Sequence, residues 1–145
     1  MAYMNDTRGE MPKVKKGKIN DMITEWTSKT SQPFISFEYF PPKTDEAVKK
    51  LHTVIDKMAK QDPLFMDFTW GAGGSTAELT LNLSKDAQSQ HGVMVNMHLT
   101  CTNQDAEKTN YGLMEAKKAN IQNIVALRGD PPKGQERWEA TEGGF

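Results

Sequence analysis

The 145 residues fit a single domain, and 18 Lys and Arg against 19 Asp and Glu leave a net charge of −1, which excludes the basic excess of a nucleic-acid binder. No apolar run approaches the roughly 20 residues of a membrane-spanning helix, and the N-terminus lacks the apolar stretch of a secretory signal, so no membrane partner is expected. Cys101 is the one cysteine; it closes no internal disulfide and belongs to no metal-ligand cluster, so a reducing cytoplasm and no metal are expected.

Residues 1–16 read as a flexible leader, and the basic run KVKKGK, Lys13 to Lys18, reads as a solvated tail. KINDMITEWTSKT then reads as an amphipathic helix with Ile19, Met22, Ile23 and Trp26 on one stripe. Pro33 breaks the chain, and FISFEYF is the first strand, bounded by Pro33 and Pro41. Thr44 or Asp45 can cap the helix over 45–61, whose apolar stripe is Val48, Leu51, Ile55 and Met58. LFMDFTW, 64–70, is the second strand, followed by GAGGS and a helix over 76–90 that Gly92 ends. VMVNMHL, 93–99, is the third strand. A helix over 104–119 follows, with Ala106, Leu113 and Ala116 among its apolar positions. NIVALRGD, 123–130, is a fourth strand running into a loop, and residues 17–145 form one incomplete barrel domain.

Strand and helix alternate with a period of about 30 residues, the mark of βαβ units and a parallel sheet. An open doubly wound sheet and part of a (β/α)8 barrel both fit. Alternate strand residues face opposite sides. Ile35, Phe37 and Tyr39 oppose Ser36 and Glu38; Leu64, Met66 and Phe68 oppose Asp67 and Thr69; Val93, Val95 and Met97 oppose Met94, Asn96 and His98; Val125 and Leu127 oppose Ala126 and Arg128. Each strand thus has an apolar lane and one that turns polar towards its C-terminal end. An open sheet covered on both faces would bury both lanes. The asymmetry favours a barrel, apolar lanes outward to the helices and polar ends ringing the mouth. A complete barrel needs about 250 residues, so the chain is read as its first half, an α/β fold of four βα units with two open edge strands and low stability alone.

The mouth gathers the candidate residues. Glu38 ends the first strand among Phe37, Tyr39 and Phe40; apolar surroundings would favour its neutral form and suit it to a general acid, and a solvated strand-end glutamate is the alternative. Thr69 and Trp70 precede GAGGS, whose glycines allow close backbone approach; the run matches neither nucleotide-binding glycine fingerprint, and a plain tight turn fits it as well. His98 ends the third strand as an acid–base group, a ligand donor or a structural histidine. His52 and His91 lie on helices and read as surface residues. Arg128, Gly129 and Asp130 offer a donor fork for phosphate or carboxylate, a close backbone approach, and an acceptor for an amidine-like edge such as that of a pterin; an internal Arg–Asp pair fits equally. Glu38, Thr69, His98 and Asp130 recur at successive strand ends, about 30 residues apart, which favours one active site.

Four motifs, SFEYFPPKT, FTWGAGGST, HLTC and ALRGDPP, in this order and spacing from Pro33 onwards, resemble methylenetetrahydrofolate reductase, its eukaryotic form more than the bacterial one. The resemblance implies a (β/α)8 barrel with FAD at its mouth and NADPH, or NADH, as reductant. The implied reaction is the flavin-dependent reduction of 5,10-methylenetetrahydrofolate to 5-methyltetrahydrofolate in one-carbon metabolism and methionine synthesis. It implies that Glu38 is the general acid for the folate nitrogen. Thr69, Trp70, His98, Arg128, Gly129 and Asp130 match FAD contacts, and Asp130 and Glu38 also face the folate. Glu38, Tyr39, Phe40, Pro41, Pro42 and Lys43 match the NAD(P)H region. The family's barrel continues past Phe145, and its eukaryotic members carry a regulatory domain that binds S-adenosylmethionine. The full-length enzyme is expected to be a homo-oligomer, and this chain alone to be inactive. A non-catalytic half-barrel that associates with the full-length enzyme, or a flavin-free pterin-binding barrel, are the alternatives.

Overall fold

The structure is a computed structural model, and it describes residues 15–70, 77–101, 105–128, 134, 136 and 137. Eight elements alternate along the chain: α1 (Ile19–Lys29), β1 (Ser36–Tyr39), α2 (Asp45–Ala59), β2 (Phe65–Phe68), α3 (Ala77–His91), β3 (Val95–Thr100), α4 (Ala106–Lys118) and β4 (Asn123–Leu127). The strands form one parallel sheet in the order β1-β2-β3-β4.

That order decides between the two architectures. A doubly wound sheet reverses its strand order at a switch point so that helices cover both faces. Here each strand pairs with its successor. Right-handed crossovers repeated in one direction put every connecting helix on the same face. The core agrees: Ile55 of α2, Leu81, Leu83 and Ala87 of α3 and Ala116 of α4 pack with Met66, Phe68, Val95 and Met97 of the sheet. The arrangement is that of four consecutive units of a (β/α)8 barrel, with β1 and β4 at the sheet's edges.

Local signals set the helix ends. The Thr44 side chain caps α2 by accepting from the Ala47 amide at 3.2 Å. Asp105 caps α4 in the same way, accepting from Lys108 N at 2.7 Å. The chain leaves α2, α3 and α4 through left-handed residues, Asp62 (φ 52°), Gly92 (φ 61°) and Asn120 (φ 56°), residue types that tolerate that region. The stripes of α1 and α2 are as their spacing predicts, with Met22, Trp26 and Ile55 buried. In α4 Ala116 is buried as its spacing predicts, but it shares the buried stripe with Thr109 and Gly112, and Leu113 is exposed. Small residues face the core there because α4 packs against the Trp70 ring: a Cβ on Gly112 would lie 3.2 Å from Trp70 Cη2.

α1 belongs to a second cluster. Met22 and Trp26 pack with Leu64 and Met94, the residues just before β2 and β3, and with Phe34 and Phe65. The helix therefore closes the N-terminal end of the sheet. The segment before it is tied down as well, contrary to a solvated tail reaching Lys18. Lys15 N donates to Glu25 Oε2 at 3.0 Å, Lys16 Nζ donates to the Gly92 carbonyl, and Asn123 Nδ2 donates to the Gly17 carbonyl at 3.2 Å. The rest of the expected leader, residues 1–14, lies outside the described residues.

Candidate active site

Pairing in a parallel sheet sets side chains level on one face, so the register fixes which groups meet. Glu38 is level with Asp67, Asp67 with Asn96, and Asn96 with Asn123. Their face is opposite to Phe37 and Tyr39, which pack towards the helices. Continuing the β2–β3 register brings Thr69 level with His98, and His98 is level with Val125. The candidates therefore occupy two layers of one face, Glu38 in the deeper and Thr69 and His98 nearer the mouth.

Glu38 is exposed, and Phe40 is 72% exposed. The apolar surroundings expected for Glu38 are therefore not supplied by its sequence neighbours, because alternation sends Phe37 and Tyr39 to the other face. Tyr39 is buried and stacks on Phe68 with ring centroids 5.4 Å apart, and burial raises the pKa of its phenol. Its side chain cannot line a nucleotide site on the open face. Pro41 and Pro42 are half-buried, and Lys43 is exposed.

Thr69 follows β2, and both its N–H, at 2.9 Å, and its hydroxyl, at 3.3 Å, donate to the Tyr39 carbonyl. Its own carbonyl accepts from Thr80 Oγ1 at 2.9 Å, which ties the strand end to α3. The hydroxyl oxygen keeps lone pairs for a ligand donor. The Trp70 ring lies in the helix-side core, 6% exposed, so only its backbone is left for a ligand at the mouth.

His98 lies within β3, which runs on to Thr100 rather than ending at His98. Its Nε2 lies 3.4 Å from Asp67 Oδ1, and Asn96 Nδ2 donates to the same oxygen at 2.7 Å. The His98 and Asp67 side chains are 15% and 16% exposed. Alternation puts Asp67 on the polar lane but says nothing of its partners, which come from pairing with β3: Asn96 is level with it and His98 diagonal to it. His52 and His91 are half-buried and face carboxylates across α2 and α3, His91 Nε2 lying 3.1 Å from Asp56 and His52 Nε2 4.0 Å from Asp86.

The lane assignment of β4 is corrected. Val125 is level with His98 and Leu127 with Thr100, so both share the His98 face, and Ile124 and Ala126 take the helix side. Residues 124–127 are all apolar, so alternation carries no parity there. Arg128 follows the strand and is exposed, and its carbonyl accepts from Thr100 Oγ1 at 2.8 Å. Gly129 and Asp130 lie outside the described residues, as does the GAGGS run. Among the described residues no three His, Cys, Asp or Glu side chains gather to hold a metal, and no helix is long and apolar enough to cross a membrane.

Comparison with known proteins gives a consistent result. Residues 22–145 match the family model described as methylenetetrahydrofolate reductase. The chain is 53% identical over 110 residues to methylenetetrahydrofolate reductase (NADH) 1 of Zea mays, covering 76% of this chain and 18% of that one. It is 42% identical to methylenetetrahydrofolate reductase 2 of Saccharomyces cerevisiae, covering 88% of this chain and 22% of that one. It is 32% identical to the 5,10-methylenetetrahydrofolate reductase of Escherichia coli, covering 72% of this chain and 36% of that one. The chain thus spans about a fifth of the length of the eukaryotic relatives it matches.

Proposed function

Because this chain belongs to the methylenetetrahydrofolate reductase family, we propose that it forms the first half of a barrel that reduces 5,10-methylenetetrahydrofolate to 5-methyltetrahydrofolate with a nicotinamide nucleotide and FAD. The names of the plant relatives carry NADH, which favours NADH over NADPH as the reductant. The observation that carries this reading is the open face shared by Glu38, Asp67, Asn96 and His98, with Glu38, Asp67 and His98 in the C-terminal halves of β1, β2 and β3. That is where barrel enzymes place their chemistry.

The described residues fit a large polar ligand. Asp67 and His98 are five-sixths buried polar side chains on a face that no described helix covers. Thr69, the Trp70 backbone, His98 and Arg128 would hold FAD, with Gly129 and Asp130 following in the chain. Bound FAD would supply the two-electron carrier between nicotinamide and folate. Glu38 holds the proton for the folate nitrogen. In this half-barrel its carboxyl is in contact with water, and the other half of the barrel would cover the face and desolvate it. Asp130 would accept from the pterin edge.

The test is a chimera in which residues 22–145 replace the matching segment of the maize relative. It should purify yellow, oxidise NADH and reduce the folate. Glu38→Gln in the chimera should retain flavin and lose folate reduction by a factor of about 100 or more, the contribution of a general acid. Unchanged folate reduction in that variant would remove Glu38 from the role, and a colourless chimera would overturn the flavin site.

A further inference from the structure

The Asp67 carboxylate is used by neither the fold's core nor the chemistry above. It is 16% exposed, and burying a carboxylate is costly unless donors meet it. Two do. Asn96, level with it on β3, donates through Nδ2 at 2.7 Å, and His98, one layer nearer the mouth, lies with Nε2 at 3.4 Å from the same Oδ1.

An ionised carboxylate only accepts, so a hydrogen bond to it at this contact would need the proton on Nε2. While the ring is neutral, Nδ1 then carries the lone pair. The second nitrogen of a histidine is set by the hydrogen bond that the first one makes. Asn96 restrains the carboxylate from the side, and the carboxylate restrains the ring along the strand direction.

We propose that Asp67 is a positioning residue: through its hydrogen bond to Nε2 it fixes His98 as the Nε2–H tautomer and presents Nδ1 as an acceptor to a ligand hydroxyl or N–H. The role in flavin binding rests on the reading of His98 as a flavin contact; the tautomer itself does not. A neutral Nδ1 acceptor selects a donor on the ligand and disfavours a phosphate oxygen, so His98 meets the sugar-chain or ring part of the flavin.

Two measurements test this, one on the tautomer itself and one on its role in flavin binding. The first is the imidazole nitrogen spectrum of the histidine-labelled chain, which has only three histidines, with His98 assigned through His98→Gln. The expected result is Nε2–H at His98 with a slowly exchanging proton that Asp67→Ala abolishes. A proton on Nδ1 in the unsubstituted chain would overturn the proposal, whether or not the variant folds.

The second is a double-mutant cycle on the FAD dissociation constant in the chimera. Asp67→Ala and His98→Ala should each weaken binding about tenfold, and the double variant should be no weaker than His98→Ala alone. Asp67→Asn keeps an acceptor oxygen and should bind within a few-fold of the unsubstituted protein. Additive losses would show that Asp67 acts on the fold and not through His98, and would overturn the proposal. If His98→Ala leaves FAD affinity unchanged, the flavin role of His98 fails, and the tautomer measurement still decides whether Asp67 sets the ring.

Discussion

Asn123 Oδ1 accepts from the Ile19 amide at 2.9 Å, a contact between residues 104 positions apart. It supplies the N-terminal cap of α1 that the Lys18 side chain does not. The Asn123 Nδ2 group donates to the Gly17 carbonyl, so one side chain at the start of β4 holds two backbone groups of the turn into α1. Removing it by Asn123→Ala should cost about 0.5–2 kcal/mol, the range for loss of a cap, and should speed amide exchange at Ile19. A denaturation midpoint and exchange rate equal to those of the unsubstituted chain would show that the contact contributes nothing.

Gly112 should tolerate no bulk. A Cβ there would meet Trp70 Cη2 at 3.2 Å and Leu99 Cδ1 at 3.7 Å, both in the buried core. Gly112→Val should destabilise by about 1–3 kcal/mol through overpacking. Gly112→Ala should cost less, because a helix gains about 1 kcal/mol from alanine over glycine. Urea unfolding of the two variants checks the order.

Tyr39→Phe should leave stability unchanged or raise it. The Tyr39 hydroxyl is buried and has no hydrogen-bond partner among the described residues, and such a group costs about 1–3 kcal/mol in desolvation. The same substitution should leave the KM for NADH unaltered in the chimera, because the side chain faces Phe68 and the helices. A raised KM would return the Tyr39 side chain to the nucleotide site.

Glu115 links α3 to α4. Its carboxylate accepts from Lys118 Nζ at 2.6 Å and from Lys85 Nζ of α3 at 3.0 Å, and these two hydrogen bonds, Lys118 first, hold its pKa below the ordinary value. A depressed folded-state pKa contributes stability above the unfolded pKa and loses it as pH falls through the folded one. Glu115→Gln should therefore be less stable than the unsubstituted chain at neutral pH. The two should converge in acid below the carboxylate range. A stability difference that persists unchanged in strong acid would assign the effect to packing.

Residues 1–145 expressed alone should bind FAD weakly and show negligible NADH oxidation. The open face carries its polar side chains without a described layer above it, and β1 and β4 are the edges of the described sheet, which favours association. A yellow purified chain that turns over NADH would overturn this.

Much of the fold is legible in the chain. Period-two alternation in β1 to β3 identifies the helix-facing lane, because Phe37, Met66 and Val95 alternate with Glu38, Asp67 and Asn96. Alternation fails over residues 124–127, where both lanes are apolar and only backbone pairing sets the face. At Glu38 alternation overrides adjacency: Phe37 and Tyr39 flank it in the chain but point to the other side of the strand, so they form no solvent-excluding pocket around it.

The elements, their barrel-type alternation, and the face on which Glu38, Asp67, Asn96 and His98 stand can be read from the chain, because all of these follow from local spacing. Which of those residues touch depends on how the strands pack. Glu38 is level with Asp67, one layer below Thr69 and His98, and Asp67 reaches diagonally to His98 while Asn96 restrains it. The cap of α1 by Asn123 is of the same kind. Register between strands and contacts across a hundred residues arise from how separate elements pack, and no local periodicity encodes that distance.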